Sequence, residues 1–484
     1  MGSTTTGGSK AVFADMQEAM RFVLDKRIRL VDLKFSDLWG QWRHVTISAR
    51  EINERLMQEG IGFDGSSVGF KSVEAGDMVL VPDLAAAWVD PFCETPTLSV
   101  ICATMDATTK ADFGWDPRNI ARKAEAYLRK TGIADESRWG PELEFYVFDS
   151  VSISNEPHRT GFEFDSEEAY WHAGRAGLGL ELPKHGGYHA AQPRDTLHDL
   201  RSEACALLED AGVPVKYHHH EVGGPGQCEI EVPMDGLVRS GDVVMMVKHF
   251  VRSVARRRGK AVTFMPKPLM GEAGNGMHFH QQLFKDGEPL FYDEKGYAGL
   301  SRLALSHIAG LLSHAPALSG LLNPSSNSYR RLVPGYEAPV SLFFSLGNRS
   351  AAIRVPEYAI TPEAKRMEYR PPDATCNVYL ALAAQLMAGI SGMQRNLDPT
   401  AEGFGPYEDN FFTLSDEEKG AIRALPASLD EALDALEADH EFLLAGGVFP
   451  KDLIAYWAQH KRDTDAREIQ KRPHPYEMGL YFNA

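Results

Sequence analysis

Four short stretches of the chain carry pairs of charged or imidazole side chains two residues apart in apolar surroundings. They are "GPELEFYVFD" (140–149), "QCEIEVP" (227–233), "MHFHQQL" (277–283) and "MEYRPP" (367–372). A fifth stretch, "NRSAAIRVP" (348–356), sets Arg349 and Arg354 around small apolar residues. Two is the period of a β-strand, so each pair shares one face, roughly 6.5–7 Å apart along the chain. In the first stretch Leu143, Phe145 and Val147 point one way; Glu142, Glu144, Tyr146 and Phe148 point the other. One Glu-x-Glu strand alone is better explained by a solvated face, by roughly two to one, and a lone His-x-His by a structural histidine. Four such strands with aromatics beside them reverse those odds. They predict one closed or strongly curved sheet whose inner face is a polar site. Several carboxylates buried on such a face require compensating cations.

Many carboxylates with a single imidazole suit Mg²⁺ or Mn²⁺ better than zinc, which favours histidine and cysteine. Two carboxylates about 7 Å apart do not easily share one small ion, so they could serve two neighbouring metals. Arginines hold carboxylate and phosphate in a fixed geometry. Divalent cations with arginines therefore point to anions brought together, as in phosphoryl transfer to a carboxylate. There is no GxxxxGK[ST] phosphate loop. Glycoside hydrolysis would use a carboxylate pair but leaves the histidines and arginines idle. A non-catalytic assembly that kept the fold is the third class.

The 484 residues allow two or three domains. A formal net charge of -17 disfavours non-specific binding to nucleic acid or an anionic membrane. Cys93, Cys102, Cys205, Cys228 and Cys376 are odd in number, widely spaced and without a CxxC. Buried free thiols in a reducing compartment fit all five. No apolar run reaches membrane-spanning length, and "MGSTTTGGSK" reads as a disordered leader over 1–13. Residues 14–26 have helical spacing, and 27–47 form a hairpin turning at Asp37–Gln41. Asp116, Pro117 and Gly132 punctuate a helix. We expect a small α+β unit over 14–112 and a larger domain over 113–484. In the latter, helices are expected near 198–211, 242–258, 298–314, 374–394, 429–440 and 450–460. Gly/Pro-rich loops lie at 183–193, 222–226, 271–276 and 333–339.

Beyond these readings, nine motifs occur in an order that resembles type I glutamine synthetase. They are "FDGSS" (63–67), "GPELEF" (140–145), "GQCEIE" (226–231), "FMPKP" (264–268), "GMHFH" (276–280), "NPSSNSYRRLVPGYEAP" (323–339), "NRSAAIR" (348–354), "RMEYRPPD" (366–373) and "HPYEMGLYFNA" (474–484). The resemblance implies an N-terminal β-grasp domain and a catalytic domain with a curved antiparallel sheet flanked by helices. It implies cytoplasmic ligation of ammonia to glutamate, with ATP giving ADP and phosphate through γ-glutamyl phosphate. It also implies a homo-oligomer, two stacked hexameric rings with active sites between neighbours.

Carried over by motif, Glu144, Glu221 and Glu229 are expected to hold one metal, and Glu142, His278 and Glu368 a second. Arg349 and Arg354 are expected on the transferring phosphate, Arg331, Arg370 and Gly274 on glutamate, and His280 beside the nucleotide. Asp64 of an adjacent subunit is expected to bind ammonium and take its proton, and Glu337 to close over the acyl phosphate. Ala273 stands where family members carry an asparagine near glutamate, and Gln282 where serine is frequent near the nucleotide. Retention of Asp64 and Glu337 favours ammonia over polyamine-type substrates. Phe411 and Phe412 fall where some members carry a modified tyrosine. Lys71 and Ser72 fall where others use a feedback arginine.

Overall fold

The computed structural model describes residues 10–173, 176–334, 338–408 and 422–484. A six-stranded sheet is built from the first hundred residues. Its path runs Lys10–Ala11, Asp77–Val89, Thr97–Asp106, Leu30–Ser36 and Trp42–Ser48, with Ile61–Asp64 added beside Asp77–Val89. Leu30–Ser36 and Thr97–Asp106 pair parallel; the other pairs are antiparallel. The expected first helix is Met16–Asp25, opened by the Asp15 side chain accepting from the N–H of Glu18.

The expected hairpin also forms, and its turn docks on the larger domain. Asn377 Nδ2 donates to the carbonyls of Asp37 and Leu38 at 3.0 and 3.1 Å. Gly40 has φ +76°, and a Cβ there would lie 2.9 Å from the Cα of Asn377. Both the left-handed backbone and the close approach require glycine. Asp116 forms a second tie. It caps the Pro117–Thr131 helix by accepting from the N–H groups of Arg118 and Asn119, and its Oδ2 accepts from Thr104 N and Oγ1 at 2.9 Å each. One buried carboxylate thus ends the small sheet and starts the first helix of the larger domain.

The second sheet has ten strands. Its main path is Tyr217–His220, Gln227–Glu231, Glu136–Phe148, Met277–Lys285, Met367–Tyr369, Ala351–Val355 and Ser341–Leu346. Only the last pair on this path is parallel. The alternation read at 140–149 holds. Leu143, Phe145 and Val147 join a core with Ile230, Phe279 and Ile353 and with the helices Leu237–Arg257 and Val378–Gln394. Each fully buried Leu, Ile or Phe side chain contributes roughly 1.5–3 kcal/mol. That fixes the register, because a slip of one residue would send these groups to the polar face.

Four details depart from the sequence reading. The helix expected at 298–314 runs Arg302–Leu322 and passes through Pro316. The helix expected from 242 begins at Leu237. Cys93 is exposed, while the other four cysteines are buried and all five are free. An antiparallel hairpin, Ser150–Glu156 with Arg159–Asp165, also stands apart from both sheets and was not foreseen.

Candidate active site

Register brings the polar pairs together. Glu142 lies opposite both Glu231 and His278 on its two neighbouring strands. Glu144 lies opposite Glu229, which lies opposite His219. Glu368 lies opposite both His280 and Arg354. The resulting face borders a cavity of about 1040 Å³, whose walls include Glu142, Glu144, Glu221, Glu229, His278, Arg331, Arg349, Arg354 and Arg370.

One half of this face is matched in charge. Glu368, fully buried, receives Arg354 and Arg370 at 2.5 Å each. His278 Nδ1 is 3.2 Å from Glu142 and 3.5 Å from Glu368, and His280 Nε2 is 2.8 Å from Glu142. Burial works to raise the Glu142 carboxyl, but His280 and His278 outweigh it and hold it well below the usual range. Burial likewise works against the charge on Glu368, and Arg370 and Arg354 hold its carboxyl low.

The other half sets acid against acid. Burial, then Glu144 and Glu229, push the Glu221 carboxyl up to about 8. Burial, then Glu142 and Glu144, push Glu229 well above the usual range. His219 lies among them, with Nδ1 3.0 Å from its neighbour's carbonyl. Nδ1 therefore donates there, and Nε2 faces Glu229 at 3.6 Å.

Among the described residues, three groups have ligand atoms within 4.8 Å of one another: Glu142–His278–Glu368, His219–Glu221–Glu229 and Glu142–Glu231–His280. The first is the expected second-metal set. The expected first set is only partly gathered, because Glu144 Oε2 accepts from the N–H of Gly276 at 2.7 Å and His219 takes the near place. Oxygen-rich sets with imidazole fit Mg²⁺ or Mn²⁺. Repelling buried acids, and a Glu231 Oε2 that is buried without a hydrogen-bond partner, are the features a cation would relieve.

The remaining expected residues are distributed as follows. Arg331 is buried and donates to the carbonyls of Pro371, Pro372 and Arg370. Arg349 is exposed at the cavity wall. Gly274 lies against Arg331 and accepts from Gln227 Nε2 at 3.0 Å. Ala273 lines the cavity, and its carbonyl accepts from the Tyr146 hydroxyl at 2.8 Å, which accounts for the aromatic beside the acids. His280 and Gln282 are buried and do not line the cavity; Gln282 donates to Pro362 O at 3.2 Å. Asp64 is exposed, away from the cavity, and accepts from Ser66 and Ser67. The Ser67 and Ser66 hydroxyls hold its carboxyl below the usual range. Lys71 pairs with Asp106 at 2.9 Å, and Ser72 opens a short turn. Glu337, Phe411 and Phe412 lie outside the described residues; Ala338 and Pro339 line the cavity.

Residues 27–107 match the family described as glutamine synthetase, beta-Grasp domain, and residues 114–481 match glutamine synthetase, catalytic domain. The chain belongs to the glutamine synthetase family. Its small sheet is accordingly the β-grasp domain, and its large curved sheet the catalytic one. The chain is 46% identical to a glutamine synthetase of Frankia alni over 98% of its length and all of that protein. It is 44% identical to one of Nostoc over 96% of its length and 99% of that protein. The structure matches the Plasmodium falciparum glutamine synthetase solved by electron cryomicroscopy, with a TM-score of 0.88 and 27% identity, over 98% of this chain and all of the other. By this membership the chain is a glutamate–ammonia ligase, an enzyme of ATP-dependent glutamine synthesis.

Sequence reading did not single out His219, Tyr188 or His189 as site residues, although all three line the cavity. His219 sits inside the run "YHHH" (217–220), where consecutive imidazoles have no period. Only the pairing with Glu229 marks it out.

Proposed function

We propose that this glutamine synthetase joins ammonia to glutamate through γ-glutamyl phosphate, using divalent cations of the Mg²⁺ or Mn²⁺ kind. The observation that carries the reading is the opposition of an acid-rich and an arginine-rich half across one cavity. Glu142, His278 and Glu368 would hold one cation, and Glu221 and Glu229, with His219 or Glu144, another. When bound, such cations neutralise phosphate and carboxylate oxygens that otherwise repel.

A carboxylate is a poor acylating agent because oxide is its leaving group; phosphorylation supplies a better one. Arg354 and Arg349 receive the transferring phosphate, and Arg370 and Arg331 orient the glutamate. Glu337 shields the acyl phosphate from water. Asp64 receives the ammonium proton from across a subunit boundary, since in its own chain it does not line the cavity.

That placement requires a homo-oligomer, which we propose to be of ring form. Tyr476, Tyr481 and Phe482, on and beside the helix Pro475–Tyr481, are 68, 65 and 79% exposed, an apolar surface suited to another copy of the chain. No helix among the described residues is long and apolar enough to cross a membrane. With its free thiols, we place the enzyme in the cytoplasm.

The test is phosphate release from ATP and glutamate with ammonium, methylamine, putrescine or spermidine. Ammonium is expected to be the best amine by a wide margin. Faster turnover with putrescine would overturn the reading.

A further inference from the structure

Glu168 lies off the cavity and takes no part in the chemistry above, yet it is fully buried. It sits just past the Arg159–Asp165 strand. Its Oε1 accepts from the N–H of Thr196 at 2.6 Å and from the Thr196 hydroxyl at 2.9 Å. Its Oε2 is 3.0 Å from Nε2 of His220, which is also fully buried. The other ring nitrogen, Nδ1, donates to the carbonyl of Glu221 at 2.7 Å. A cavity loop closes over the same point. The N–H groups of Gly187 and His189 donate to the carbonyls of Val222 and His220 at 3.1 and 3.0 Å. A Cβ on Gly187 would stand 2.5 Å from the His220 ring and 2.4 Å from the Glu221 carbonyl oxygen.

Desolvating a carboxylate costs several kcal/mol. Here two hydrogen bonds anchor the carboxylate on Thr196, and the third, through His220, reaches the backbone at Glu221. We infer that Glu168 is a positioning residue for the acid-rich half of the site. Acting through His220, it fixes the backbone of Glu221 and so the direction in which the Glu221 carboxylate meets a cation. It also sets the loop that carries Tyr188 and His189. Partners behind metal ligands commonly change affinity by about 10–100-fold when removed.

The inference rests on the metal reading above, and Mn²⁺ binding separates the two. The full-length protein is titrated with Mn²⁺ and the free ion followed by electron paramagnetic resonance. Wild type is expected to show two classes of site, with Glu221→Gln identifying the class that contains it. Glu168→Gln, close in shape, is expected to weaken that class about 10–100-fold and leave the other unchanged. Thr196→Val, which removes one anchor of the carboxylate, is expected to weaken the same class less, and it carries the test if Glu168→Gln does not fold. Unchanged affinity at both classes overturns the positioning role. So does an equal loss at both, which would mark a structural effect alone. Wild type that binds no Mn²⁺ overturns the metal reading itself.

Discussion

The two halves of the catalytic face share the strand Glu136–Phe148, which carries Glu142 into one and Glu144 into the other, yet they differ in what they lack. Around Glu368 and Glu142, arginines and histidines match the carboxylates and hold both carboxyls below the usual range. Around Glu221 and Glu229, the carboxylates chiefly face one another and are driven toward protonation. In the first half protein groups of opposite charge face the carboxylates; in the second the carboxylates chiefly lack them. Burial alone therefore does not predict whether a polar face stabilises a fold; the identity of the opposing side chain decides it.

The matched half breaks most severely. Glu368→Ala leaves Arg354 and Arg370 without their buried partner and removes a proposed metal ligand. Phosphate release is expected to fall roughly a thousandfold or more. Near-normal rates at saturating Mg²⁺ and Mn²⁺ would refute the role.

A second prediction separates both halves from the small domain. Asp64→Ala and Glu368→Ala are each expected to be nearly inactive. Co-assembled at random in equal amounts, they should recover about a quarter of wild-type sites, because half times half of the interfaces pair two intact surfaces. Mixed oligomers that are assembled but still inactive would place the site within one chain.

The acid-rich half is probed by stability. Saturating Mn²⁺, at about a hundred times its dissociation constant, should stabilise wild type by roughly 2.7 kcal/mol in thermal unfolding. Glu229→Gln should lose most of that gain, yet in chelator it should be no less stable than wild type, since it removes a repelling charge. A variant clearly less stable in chelator would mean that the acids are not in conflict.

The smallest effect is on pH dependence. Glu221 is raised in the folded state, so its contribution is full below the unfolded value and is lost as pH rises through about 8. In chelator, the unfolding midpoint should fall across that window, and Glu221→Gln should flatten the fall. An identical slope in the variant would assign the dependence elsewhere.

What could be read from the chain was what is local. Period two put Glu142 and Glu144 on one face and Leu143 and Phe145 on the other, and the structure keeps that division. Asp116, Pro117 and Gly132 delimit their helix as expected. What could not be read was pairing between distant segments. Nothing near Glu144 indicates that it faces Glu229, or that Glu231 sits between Lys216 at 2.6 Å and His280 at 3.8 Å. The 150–165 hairpin escaped because Ile153 and Phe162 are exposed, so its pattern does not report an inside. The helix expected to end at 314 runs on through Pro316 to Leu322, where its buried side chains carry it onward.

The Asp116 carboxylate has a mechanical consequence. Asp64 lies on a strand paired with Asp77–Val89, which pairs with Thr97–Asp106, whose Thr104 is held by Asp116 at the start of the Pro117–Thr131 helix. No slack linker intervenes along that route. The small domain is therefore a stiff lever held at two points, the Asp116 carboxylate and the Asn377 side chain under the Asp37–Gln41 turn. In a ring with shared sites, any tilt of that helix in one subunit would be delivered as a displacement of Asp64 at its neighbour's cavity.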